Sequence, residues 1–87
     1  GSPVARLNAA AALARRDGPE AGYAAAEAAR AQFPQLREYQ PYWALVADLC
    51  AKLGRAEAAH EAYDEAIARE RDASVVAFLR ERREALS

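Results

Sequence analysis

The sequence predicts an all-α domain, and three observations carry that prediction. Alanine, which loses least on entering a helix, supplies 25 of the 46 hydrophobic residues in a chain of 87. β-Branched residues are limited to Val4, Val46, Ile67, Val75 and Val76, with no threonine, so strands have little to be built from. Glycine and proline fall between stretches of helical length, at DGP (17–19), FP (33–34), QP (40–41) and LGR (53–55). A chain this short makes one small domain with a modest core.

The first helix is expected over residues 4–16, stopped by DGP. Asp17 or Gly18 can cap the second, and Pro19 suits its first turn, where no N–H is needed. The second helix runs to about residue 32 and ends at Phe33-Pro34, because a residue before proline is pushed out of the α region. A short loop over 35–40 follows. Pro41 opens a third helix, 41–53, with Gly54 as its left-handed stop. A fourth covers 56–70, and Asp72 caps a fifth over 73–86. Short connections imply antiparallel neighbours. The third helix carries Trp43, Val46, Leu49, Cys50 and Leu53 at helical spacing, and the fourth carries Ala59, Tyr63, Ala66 and Ile67. On the fifth, Val75, Val76, Phe78, Leu79 and Leu86 are expected inward, with Arg80, Glu81, Arg83 and Glu84 in water. Gly1-Ser2 reads as a cloning remnant, residues 3–87 as one domain, and the chain as a piece of something longer.

Twelve basic and thirteen acidic residues interleave for a net charge of −1, which is not the footprint of a nucleic-acid binder. No apolar run approaches the roughly 20 residues that cross a bilayer, so a membrane partner is not expected. A lone Cys50 allows no internal disulfide, in keeping with a reducing cytoplasm.

The segment YQPYW (39–43) concentrates three of the seven aromatic residues in five positions. Trp43 begins a pattern that continues through Ala47, Gly54, Ala59, Tyr63 and Ala66: large, small, turn, small, large, small. The pattern resembles the tetratricopeptide repeat, a helix–turn–helix unit of 34 residues. Cys50 stands where a tyrosine is usual and Arg71 where the closing proline is usual. Residues 4–34 look like a degenerate copy: EAG (20–22) matches EAA (57–59), Ala29 matches Ala66, and Ala26 takes the place of Tyr63. The fold expected is therefore a short stack of antiparallel helix pairs. Repeat one spans about 4–34, repeat two about 40–72, and a capping helix about 73–86. Trp43 is expected inside the second pair, with Tyr39 and Tyr42 where that pair meets the second helix. Trp43→Ala is then expected to cost about 3–5 kcal/mol.

Three segments taken in order resemble a narrower family. LNAAAALARRDGPEAG (7–22), YQPYWALVADLCAKLGRAEAAHEAYDEAIA (39–68) and DASVVAFLRERREAL (72–86) are similar to the tetratricopeptide-like C-terminal extension of bacterial extracytoplasmic-function (ECF) RNA polymerase sigma factors. The resemblance implies a non-catalytic, cytoplasmic module that regulates transcription initiation. Its partners would be proteins: the sigma domains of a parent chain, core RNA polymerase, or a small YCII-like protein. It implies no cofactor, metal or catalytic residue.

Read residue by residue, the chain offers little chemistry. Glu57 and His60 make a Glu-x-x-His pair, the spacing used in di-iron bundles, but one histidine cannot complete such a site without a second chain. Glu57, Glu61, Asp64 and Glu65 read more simply as a wet face than as paired acid and base, with Glu65 able to pair with Arg69. Cys50 reads as a small buried hydrophobe. Arg80, Arg82 and Arg83 are interrupted by Glu81 and Glu84, which argues against a phosphate-binding stripe. The remaining feature is a groove. If the first helix of each pair lines one face, Asn8, Ala12, Arg15 and Arg16 would meet Ala44, Asp48, Ala51 and Lys52 there. Asn8 can equally cap or bridge within the domain. A free-standing adaptor for peptides or proteins is the alternative reading, and a helical metal-dependent hydrolase fragment is a third.

Overall fold

The computed structural model describes residues 1–86. Its elements, in chain order, are α1 (Pro3–Asp17), α2 (Pro19–Gln32), a 3₁₀ helix (Pro34–Glu38), α3 (Gln40–Lys52), α4 (Ala56–Ala68) and α5 (Ala73–Glu84). There is no strand among the described residues. The domain expected over 3–87 thus ends one residue outside them. α1 packs along α2 and α3 along α4, α2 meets α3, and α5 rests on α4. The radius of gyration, 12.2 Å, is close to the ~12 Å expected for a compact chain of this length.

The helix ends follow from local chemistry. Ser2, read from sequence as part of a remnant, caps α1: its side-chain oxygen accepts from the Ala5 N–H at 3.1 Å. Gly18, not Asp17, stands at the N-cap of α2, with Pro19 behind it. Gly54 has φ 74° and donates to the Ala51 carbonyl, while Arg55 donates to that of Cys50. This is the Schellman closure, and it needs the left-handed conformation that glycine reaches without strain. α4 stops two residues short of expectation. The Glu70 carboxylate accepts from the N–H groups of Arg71 and Asp72 at 3.0 and 3.1 Å, satisfying the turn. Asp72 then caps α5 through the Ser74 N–H at 2.8 Å. α5 itself ends at Glu84 rather than at 86.

The segment expected to be a loop is a 3₁₀ helix. Pro34 sets its first φ, and i→i+3 bonds from Leu36 and Tyr39 close it. Its purpose is packing: Leu36, 2% exposed, fills the core beside α2 and α3.

The core is Leu7 and Ala10 from α1, Ala26 and Ala29 from α2, Leu36, then Tyr42, Val46, Ala47, Leu49 and Cys50 from α3. Ala59, Ala62, Tyr63 and Ala66 from α4 and Leu79 from α5 complete it. Three positions depart from the sequence reading. Val46, Leu49 and Cys50 of α3 are buried as expected, but Trp43 is only partly buried, and Tyr42, on the other flank of the stripe, is the fully buried aromatic of this helix. The two rings meet edge to face, centroids 5.0 Å apart. The Trp43 indole N–H donates to the Arg37 carbonyl at 2.7 Å, which holds the ring at the edge of the core. Phe78, expected inward, is 57% exposed. Arg83, expected in water, is partly buried and pairs with Asp64 of α4 at 2.7 Å. A helix resting on one neighbour buries a narrow stripe. Leu79 takes its centre and leaves Phe78 outside.

Candidate functional site

The residues expected to form one groove fall into two clefts. Arg15, Asp48 and Lys52 come together in a cleft of about 420 Å³ between α1 and α3, with Ala11, Ala14, Pro19, Leu45 and Leu49 as its apolar lining. Ala12 and Arg16 instead face a cleft of about 460 Å³ between α1 and α2, among Ala9, Leu13, Ala25 and Ala28. The split follows from the helix: successive residues stand 100° apart, so Arg15 and Arg16 serve different faces. Asn8, Ala44 and Ala51 line neither cleft. Asn8 is exposed on α1 and is not its cap, since Ser2 is.

An ion pair links the α1–α3 cleft to α5. The Asp48 carboxylate is held by Lys52 at 2.9 Å on one oxygen and by Arg82 at 3.3 Å on the other. Arg82 lies over the Phe78 ring, 5.7 Å from its centroid. One continuous face therefore runs from Arg15 through Lys52 and Asp48 to Arg82 and Phe78. Arg15 makes no ion pair with any described residue. Sequence reasoning missed Arg82 and Phe78: it read Arg82 as part of an interrupted basic run and assigned Phe78 to the core. The available signal was their i, i+4 spacing, which puts both on one side of the fifth helix.

Between α2 and α3 lies a hydrogen-bonded seam. The Tyr42 hydroxyl donates to the Glu27 carboxylate at 2.7 Å, and Arg30 donates to its other oxygen at 2.9 Å. Burial and this bond raise the Tyr42 pKa well above the usual phenol range. Burial also raises Tyr23, whose ring lies 5.2 Å beneath the Arg55 guanidinium. Cys50 is 1% exposed; burial raises its thiol pKa, partly offset by Arg55, so the thiolate is disfavoured. Asp64 pairs with Arg83, and Glu65 pairs with Arg69 at 2.6 Å as its spacing suggests. Glu57 and Glu61 are exposed. Among the described residues, no three His, Cys, Asp or Glu side chains come together to hold a metal ion. No described helix is long and apolar enough to cross a membrane.

No family model matches the chain, and no solved structure matches it. The chain is similar to an uncharacterized protein of Rhizobium meliloti (strain 1021), with 42% identity over 79 residues. The match covers 91% of this chain but 18% of the relative, so the chain spans less than a fifth of the length of the curated protein it matches.

Proposed function

We propose that this domain is a non-catalytic protein-interaction module of the ECF sigma-factor type, a short tetratricopeptide-like stack that regulates transcription initiation in the bacterial cytoplasm. The observation that carries the interaction reading is the α1–α3–α5 face. It joins an apolar-lined cleft, an Arg15 without an ion-pair partner among the described residues, and an exposed Phe78. Two features support the stacked-repeat reading. Short turns at Gly18 and at 53–55 fold α2 back on α1 and α4 back on α3. The positions matched from sequence, Gly22 in one pair and Ala59 in the other, are both buried. In this reading the partners are the sigma domains of a longer parent chain, core RNA polymerase, or a small YCII-like protein.

A second reading, a free-standing adaptor, is less well supported, because the similar Rhizobium meliloti protein is far longer than this segment. The test is calorimetric titration of the domain against core RNA polymerase, and separately against a sigma fragment containing the promoter-binding regions. Saturable binding to either, weakened by reversing Asp48 and Lys52 together, is the expected result. Absence of binding to both would remove the transcription assignment and leave the adaptor reading.

A further inference from the structure

We infer that the α1–α3–α5 face takes an acidic segment of a protein partner, one that sets carboxylates beside Arg15 and Lys52 and an apolar side chain against Phe78. The inference rests on the interaction reading above and deepens it by naming the chemistry of the partner.

The net charge of −1 conceals a segregation. α1, α3 and α5 together carry seven basic and four acidic residues, a net of +3, although Arg6 and Arg16 line the α1–α2 cleft and Arg80 and Arg83 lie beside Asp64 of α4. α2 and α4 carry one basic and six acidic residues, a net of −5. The two sides lie within a body 32 × 26 × 18 Å in extent, while charges are screened over about 10 Å at moderate salt. A ligand on the α1–α3–α5 side is therefore governed by the local charge rather than by the total.

That local charge is positive. Asp48 is the acidic group that lines the cleft, and its carboxylate is already divided between Lys52 and Arg82. Arg15, Lys52 and Arg82 thus exceed the acid by two. Lys52 and Arg15 are exposed, so each can pair with an incoming carboxylate without first breaking a buried bond. Between them the lining is Ala11, Ala14, Leu45 and Leu49, which offers hydrocarbon and no competing acceptor side chain. At the far end Phe78 presents a ring 57% exposed, steadied by Arg82. An apolar anchor ringed by charges is the common anatomy of a protein docking surface. A nucleic acid fits less well, because the acidic α4 side repels a long polyanion while a short peptide need not approach it.

The test is selection of a random peptide display library on the immobilised 87-residue chain, followed by fluorescence polarisation with the enriched peptides. Enriched sequences are expected to carry carboxylates around one or more apolar residues. The variant with Arg15→Glu and Lys52→Glu should bind them at least about tenfold more weakly, and Phe78→Ala about tenfold more weakly. Arg16→Glu, the same charge change in the neighbouring α1–α2 cleft, should leave affinity nearly unchanged. Affinity should also fall as salt rises. Circular dichroism melting of each variant checks that its fold is intact, and Arg15→Ala provides a milder version of the charge change. Enrichment of neutral or basic peptides, or of acidic peptides insensitive to these substitutions, overturns the inference but leaves an interaction module. No enrichment overturns both. Binding of a single-stranded DNA homopolymer that is lost in the Arg15→Glu/Lys52→Glu variant, with no acidic peptide enriched, overturns the inference in favour of a nucleic acid.

Discussion

The two helix pairs solve one packing problem in opposite ways. In α1–α2 the buried residues are Leu7, Ala10, Gly22, Ala26 and Ala29. A Cβ at Gly22 would overlap the Ala14 side chain and come within 2.9 Å of its Cα, so these helices touch nearly backbone to backbone. In α3–α4 the buried set includes Tyr42, Val46, Leu49 and Tyr63, with Ala47, Ala59 and Ala66 between them. Close approach maximises dispersion contacts but removes little apolar area from water. Large side chains remove more area and demand more space. The first pair is therefore vulnerable to added bulk and the second to lost bulk.

The sharpest break in the comparison is Tyr42→Ala. Removing a buried ring should cost about 3–5 kcal/mol, seen as a lower denaturant midpoint with an unchanged slope. Trp43→Ala, which removes a ring that is only partly buried, should cost clearly less, below the range expected from sequence. Equal costs for the two would place Trp43 in the core after all. Gly22→Ala tests the other pair. Alanine is the better helix former by about 1 kcal/mol, yet overpacking against Ala14 should prevail and leave a net loss of about 2 kcal/mol. A stabilised Gly22→Ala protein would mean that α1 and α2 can move apart freely.

Tyr42→Phe separates the area of the ring from its hydroxyl. Loss of a hydrogen bond to a carboxylate should cost about 1.5 kcal/mol near neutral pH. The pH dependence adds a second readout. The folded protein holds the Tyr42 proton more tightly than the unfolded chain, whose value is 10.0. This contribution is fully present below pH 10 and is lost as pH rises above it. Denaturant midpoints of the native sequence should thus fall above pH 10, and fall less steeply in Tyr42→Phe. Tyr23 and Cys50, raised by burial as well, leave a residual slope. Phe78→Ala should have the smallest effect on stability, below about 0.5 kcal/mol. A large loss in thermal unfolding would return Phe78 to the core and dissolve the face proposed for binding.

The all-α class was legible because composition decides it: no sheet is built from an alanine-rich chain with so few β-branched residues. The helix breaks were legible to within two residues, since Pro19, Pro34, Gly54 and Asp72 act through their own backbone chemistry. The pairing of small and large positions could be read from spacing, and Ala47, Ala59, Tyr63 and Ala66 are buried. Which aromatic on the flanks of the α3 stripe is fully buried was not legible. YQPYW offers Tyr42 and Trp43 at adjacent positions of similar hydrophobicity. Tyr42 is the one turned inward, with its hydroxyl on Glu27, fifteen residues earlier.

The candidate face has the same history. Its cations and Asp48 were visible as residue types, but their grouping was not. Arg15 separates from Arg16 through one helical step, and Arg82 joins Asp48 across thirty-four positions. Phe78 is outside because α5 rests on α4 with room for one central residue, Leu79. By itself the sequence determined what depends on neighbours along the chain: helix propensity, caps, turns and the need for a partner on each apolar stripe. Tertiary structure alone decided which side chain meets which across the helices. The choice of buried aromatic, ion-pair choice and the division between core and face are set by contacts between residues far apart in the chain, where local preferences do not decide.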